Sequence, residues 1–246
     1  MKRTSRAGVT LMELLIAISL VSLISVAILM AMRVGLNAMN KTNNRMIDNR
    51  RVSGVQRVLE QQIAGFMAVT ANCRPAPAAP PLKAPFFQGE PQSMRFVSSF
   101  SLEEASRGYP RILEYQVIPG QNNVGVRLVV NELLYTGPDS TGILCVGSRP
   151  GTESAMYRPI EVGPQSFVIQ DRLAFCRFLY QERLPPPEGR RWLPLWVKPE
   201  PPSAIRIEMA PLEEDASRLP RLPLTMSLRV NKNPMWQYDD QYYTGR

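Results

Sequence analysis

The sequence predicts an α+β protein, a long N-terminal helix followed by an antiparallel β-sheet. Three observations carry this reading. Residues 14 to 32 form nineteen consecutive positions without a charge. Residues 34 to 70 contain no proline, and Val52, Val55, Leu59, Ile63 and Phe66 recur there at spacings of three and four. From residue 93 onward the chain breaks into short runs rich in Val, Ile, Leu, Phe and Tyr, separated by turn residues.

The uncharged run would extend about 28 Å as a helix at ~1.5 Å per residue, close to the thickness of a bilayer core. An ordinary secretory signal carries its small-residue cleavage site after the apolar region. Here the small-residue pair Ala7-Gly8 comes before it. Cleavage at that point would keep the apolar helix in the mature chain. Glu13 stands at the edge of the run, and a carboxylate in or near hydrocarbon is unfavourable unless a cation neutralises it. A newly exposed α-amino group at Val9 of a neighbouring subunit is a suitable cation, and such a pairing would set register between stacked helices.

The helix is expected to continue beyond Arg33 as an amphipathic one. The stripe from Val52 to Phe66 gives it one apolar face, with Asn49, Arg50, Gln56, Arg57, Glu60 and Gln61 mainly off that face. Gly35 and Gly54 are its weak points, each less favourable than alanine by about 1 kcal/mol. Pro75, Pro77, Pro80, Pro81 and Pro85 end it and read as an extended connector. Strands are expected at 94–100, 111–118, 124–134, 143–146, 167–180, 204–209 and 224–230. Ile205, Ile207 and Met209 alternate with polar residues, as do Leu113, Tyr115 and Val117, so each set marks an inward side. Pro119-Gly120, Gly137-Pro138-Asp139 and Pro150-Gly151 mark turns, and 181–202 reads as a long loop. The laid-out domains are 1–8, a leader; 9–33, a membrane helix; 34–71, its amphipathic continuation; 72–92, the connector; and 93–246, a β-rich domain.

Charge and composition exclude several classes. The net charge is +8, with no run of five or six like charges, so a solvated surface is favoured over a nucleic-acid patch. The three cysteines, Cys73, Cys145 and Cys176, form no C-x-x-C pair, and there is no histidine, so a zinc site and the commonest general base are missing. One disulfide fits an extracytoplasmic domain, with buried free thiols equally compatible. No nucleophile elbow, phosphate-binding loop or metalloprotease motif occurs. The acidic clusters Glu103-Glu104, Glu213-Glu214-Asp215 and Asp239-Asp240 lack the spacing of a dedicated calcium loop. No enzyme activity, cofactor or metal is expected. Trp192 and Trp196 read first as apolar anchors under the 181–202 loop. The tail from Trp236 to Tyr243 is aromatic and acidic.

The string from Gly8 to Leu20, G-V-T-L-M-E-L-L-I-A-I-S-L, resembles the prepilin-type cleavage and methylation signature. That signature has a short basic leader ending in glycine, an apolar residue, Thr or Ser, two apolar residues, glutamate and a long apolar helix. Gly8, Thr10, Leu11, Glu13 and Leu14 match, and Val9 stands where phenylalanine is usual. The resemblance implies cleavage after Gly8 by a prepilin peptidase, N-methylation of Val9, and pairing of Glu13 with the amino terminus of an adjoining subunit. It also implies a type IV pilin-like fold. Basic residues flank both ends of the apolar run, so charge leaves its orientation close to a tie. The leader resemblance places the N-terminus in the cytoplasm.

The C-terminal half adds a second resemblance. Met94-Arg95-Phe96-Val97, Arg111 to Tyr115, the aromatic strand with Phe175, Phe178 and Tyr180, the two tryptophans, and Pro202-Ser203-Ala204-Ile205-Arg206-Ile207 follow one another in the order seen in minor pseudopilins of the J kind of type II secretion. The proline-rich insert and the 181–202 loop are not obvious family features. This implies a single-pass inner-membrane protein with a periplasmic domain. Its partners would be other minor pseudopilins, the major pseudopilin and the prepilin peptidase, with no nucleic acid, in a complex that initiates or caps a pseudopilus. A minor pilin of a type IV pilus or DNA-uptake system shares the same N-terminal physics.

Overall fold

The structure, a computed structural model, describes residues 9–74, 82–148, 155–213, 223–230 and 233–235. The chain divides into two compact units, Met1–Arg51 and Val52–Arg246. Helix α1, Leu11–Ala64, belongs to both and passes Gly35 and Gly54 without interruption. It ends seven residues before the expected boundary at 71. The reason lies at Gly65, whose amide closes the last turn on the Gln61 carbonyl while its own carbonyl accepts from the Ser99 amide. A Cβ at this position would stand 2.6 Å from Ser98 Oγ and 3.2 Å from the Phe100 amide, so a larger residue would have to displace Ser98 from its hydrogen bonds. Phe66 and Met67 then leave the helix as strand β1, Phe66–Met67.

Among the described residues twelve further strands follow. They are β2 (Thr70–Cys73), β3 (Leu82–Pro85), β4 (Gln88–Gly89), β5 (Ser93–Ser101), β6 (Ser106–Pro119), β7 (Val126–Leu134), β8 (Cys145–Ser148), β9 (Ala155–Tyr157), β10 (Phe167–Arg183), β11 (Arg190–Leu193), β12 (Ala204–Pro211) and β13 (Leu224–Ser227). Every pairing is antiparallel. The main sheet runs β1-β5-β6-β7-β10-β12-β13, with β4 added on β5 and β11 on β10. Thus the fold is α+β, as the sequence predicts.

Three regions differ from expectation. The 72–92 connector contains β3, β4 and the end of β2, because Thr70–Cys73 and Leu82–Pro85 pair with each other. Its residues 75–81 lie outside the described residues. The 181–202 loop contains a hairpin, in which β10 runs on to Arg183 and pairs with β11. Gly189 supplies the positive φ of 77° in the turn between them. The Gly137-Pro138-Asp139 turn opens a short helix, α2 (Pro138–Gly142), which delays the following strand to Cys145.

Strand alternation sorts the main sheet into two faces. On the inner face Phe96 and Leu113, Tyr115 and Val130, Phe178 and Ile207, and Tyr180 and Ile205 stand opposite each other. Leu59, Ile63 and Phe66 pack on this face, with Val55 at its margin, so the three-and-four stripe has the sheet as its partner. Fully burying each such side chain contributes about 1.5–3 kcal/mol. Ile205, Ile207, Leu113 and Tyr115 are all buried, as their alternation predicts.

The outer face is divided. Over β5 and β6 it is covered by β2, β3, β8 and β9. Val97 and Ile112 meet Ala71, Ala84, Phe86, Leu144 and Tyr157 in a second core. A Cys73–Cys145 disulfide joins β2 to β8 at that layer, closing a separation of 72 residues. Cys176 is free and buried, and burial pushes its thiol up to about 12. Over β10 the outer-face side chains Phe175 and Arg177 are exposed.

Candidate assembly site at the N-terminal helix

Gly8, the expected cleavage residue, lies outside the described residues. Val9 and Thr10 precede α1 in non-helical conformation, and Val9 is 72% exposed. Thr10 is the helix N-cap. Its Oγ1 accepts from the Glu13 amide at 3.3 Å and its carbonyl accepts from the Leu14 amide at 3.2 Å. Glu13 is therefore the third helical residue of a T-x-x-E sequence, the arrangement of a capping box. A carboxylate here also faces the positive end of the helix dipole. The T-x-x-E spacing is local to the sequence, while the capping role of Thr10 is shown by its hydrogen bonds.

From Leu14 to Met32 the large apolar side chains are exposed among the described residues. Leu11, Leu15, Val21, Leu23, Leu29 and Met32 are all exposed, and so are their apolar neighbours. Among the described residues one helix, α1, is long and apolar enough to cross a membrane. Ser19, Ser22 and Ser25 interrupt the run without leaving a free donor. Their hydroxyls donate to the carbonyls of Ile16, Ser19 and Val21 at 2.7–2.8 Å. Satisfying hydroxyls within the helix makes them tolerable in an apolar medium. Glu13 is then the lone formal charge between Val9 and Met32. Among the described residues no cation pairs with it.

The β-rich unit contains two buried polar clusters that sequence reading did not single out. Arg95 is 0% exposed and bonds Glu114 across the β5–β6 pair, with Nε to Oε1 at 2.8 Å. Its other nitrogens donate to Gln88 Oε1 at 2.6 Å and to the Arg158 carbonyl at 3.1 Å. Burial holds the guanidinium below its ordinary value, with Glu114 acting in the opposite direction. The second cluster fastens the end of α1 to the sheet. Gln62 donates to Glu132 Oε1 at 2.9 Å and accepts from the Tyr115 hydroxyl. The Gln62 carbonyl accepts from Ser98 Oγ at 2.7 Å. Glu132 also accepts from Ser101 Oγ and the Leu102 amide, both at 2.7 Å. Burial and the Glu132 charge raise the Tyr115 phenol well above its ordinary range. The signal for Glu132 was its place on the inward parity of β7, after Leu128 and Val130.

The two tryptophans part company. Trp196 is buried, donates from Nε1 to the Glu200 carbonyl at 2.8 Å, and packs against Gly89, where a Cβ would stand 2.9 Å away. Trp192 lies half-buried on the outer face beneath the Arg206 guanidinium, 4.1 Å from the ring centroid. Of the acidic clusters, Glu103 and Glu104 bond Arg111, and Glu213 bonds Arg172. Glu214, Asp215, Asp239, Asp240 and the 236–243 tail lie outside the described residues. Among the described residues no three His, Cys, Asp or Glu side chains are grouped to hold a metal ion. No family model, curated protein or solved structure matches the chain.

Proposed function

We propose that the chain is a minor pseudopilin of a type II secretion system, with a type IV pilin-like fold. In this reading it is cleaved after Gly8 and methylated at Val9. It is held in the inner membrane by its apolar helix and joins other minor pseudopilins in the complex that starts or caps the pseudopilus. The periplasmic β-rich domain supplies lateral contacts. The mechanism is packing rather than catalysis.

The observation that carries the reading is the capped start of α1. One carboxylate, Glu13, sits in the first turn ahead of an apolar surface that is exposed among the described residues. A bare apolar surface of this extent requires lipid or another chain. A lone charge at its edge requires a cation in either medium. The Val9 amino group of a neighbour, created by cleavage, answers both requirements when the helices bundle.

The test is co-purification of the full-length chain in detergent with the other minor pseudopilins. Wild type should recover them, and Glu13→Leu should remain in the membrane fraction yet lose them. Mass spectrometry should find Val9 at the mature N-terminus, and an uncleaved precursor when Gly8 is replaced. Undiminished recovery by Glu13→Leu would sink the pairing. Recovery of pilus subunits and retraction machinery in their place would assign the chain to a type IV pilus instead.

A further inference from the structure

The outer face of β10, β11 and β12 carries a group of arginines that the assembly reading does not use. Register puts Arg177, Leu179, Gln181 and Arg183 of β10 on this face. Across β12 stand Glu208 and Arg206, opposite Arg177 and Leu179. Across β11 stand Trp192 and Arg190, opposite Gln181 and Arg183.

Two features mark this as more than a solvated surface. First, Arg183 and Arg190 are directly opposed cross-strand neighbours, both exposed, and like charges so placed destabilise a sheet. Among the described residues neither has an anionic partner. Glu182 is taken by Arg191 and Lys198 on the opposite face. Glu208 is taken by Arg177 and Arg206, and Glu188 in the hairpin turn bonds neither arginine. Second, two of the guanidiniums are held over rings, Arg206 over Trp192 and Arg177 over Phe175 at 6.0 Å. Ring stacking together with the bonds to Glu208 and Thr225 fixes these two guanidiniums in place on the face that also carries Arg183 and Arg190.

We propose that this face is a docking surface for an acidic, apolar-interleaved segment of a partner polypeptide, whose carboxylates pair with Arg183 and Arg190. The occupant follows from the chemistry of the face. Four arginines outnumber one glutamate, so the complement is anionic. Phe175 is 47% exposed on the same face, and Leu179 is half-buried there, so the complement also carries apolar side chains. Glu208, set among the arginines, repels the closely spaced charges of a nucleic-acid backbone. Spaced carboxylates on a polypeptide avoid it. The proposal does not rest on the secretion reading.

The full-length chain in detergent is titrated with a short fluorescein-labelled peptide alternating glutamate and valine. A lysine–valine peptide and a single-stranded DNA oligonucleotide of the same label are run in parallel. The acidic peptide should bind, with affinity falling as salt rises, and the other two should not compete. Arg183→Glu/Arg190→Glu should weaken the acidic peptide about tenfold or more, as expected for truncating charge partners at an interface. Arg57→Glu, an exposed arginine on α1, should leave binding unchanged. The single variant Arg183→Glu gives a second readout. It should raise the thermal midpoint, by replacing a like-charged pair with an ion pair, while lowering affinity; a purely structural arginine would not move the two in opposite directions. No binding of the acidic peptide, equal binding of the lysine peptide, tighter binding of DNA, or wild-type affinity in the double variant would each overturn the proposal. So would a large gain in affinity on deleting residues 236–246, which would make the chain's own Asp239-Asp240 segment the occupant.

Discussion

Removing one member of the Arg95–Glu114 pair leaves a charge in the core with nothing to neutralise it. Breaking a buried pair in this way typically destabilises by about 3–5 kcal/mol, whereas replacing both members by apolar residues is often neutral. Arg95→Met alone should therefore lower the unfolding midpoint in urea far more than Arg95→Met/Glu114→Leu. A double variant as unstable as the single one would show that the contacts of Arg95 to Gln88 and Arg158 matter more than its charge. Glu182 is a different case, since its partners are exposed. Hydrogen bonds from Lys198 and then Arg191 hold its carboxyl below the usual carboxylate range. A folded-state value below the unfolded one, about 4.3 for glutamate, stabilises the fold above that pH. The contribution is lost as pH falls through the folded value. The stability gap between wild type and Glu182→Gln, measured by chemical unfolding, should thus be constant near neutrality and close as pH drops below about 4. A gap that widens on acidification would contradict the assignment. These residues were poorly legible in the sequence. Nothing local to Arg95 distinguishes a buried guanidinium from an exposed one, because its partners stand on β6, on β4 and beyond β9.

At the scale of elements, the β2–β3 and β8–β9 pairs form a layer whose attachment to the sheet includes one covalent link. The Cys73–Cys145 bond closes a separation of 72 residues, and a constraint of that length usually stabilises by a few kcal/mol, about 2–5 when a native bridge is removed. Cys73→Ser/Cys145→Ser should lower the thermal midpoint and raise hydrogen exchange first at Thr70–Cys73 and Cys145–Ser148. Exchange that rises uniformly through β5 and β6 as well would mean that the layer and the sheet unfold together. The pairing itself was not readable, since three cysteines allow three disulfides and spacing does not rank them. The α1 stripe was readable. Val52, Leu59 and Ile63 follow the helical period and are buried, because a helix against a flat sheet presents one face only. The end of that helix was not readable, because Gly65 packs closely against Ser98 and Phe100, which lie on a strand thirty-odd positions away.

At the scale of the whole molecule, the chain carries an apolar helical run that is exposed among the described residues, and a unit with two cores of its own. A chain beginning near Val52 should accordingly fold and stay in the aqueous fraction, with intact near-ultraviolet dichroism, while the full chain sediments with membranes. Aggregation of the shorter chain would show that the residues before Val52 complete a core rather than serve lipid or assembly alone. The sequence by itself determined the α+β class, the apolar run with Glu13 at its edge, the helical stripe, and the inward parity of β6 and β12. Each of these is a periodicity or a composition, and residues close in the chain express it. Only the tertiary structure decided where α1 stops, that Cys73 meets Cys145, that Arg95 is buried on Glu114, and that Trp196 is an anchor while Trp192 lies beneath Arg206. Each of those depends on which strands become neighbours, and strand pairing is settled by the burial of the whole sheet rather than by any one segment of it.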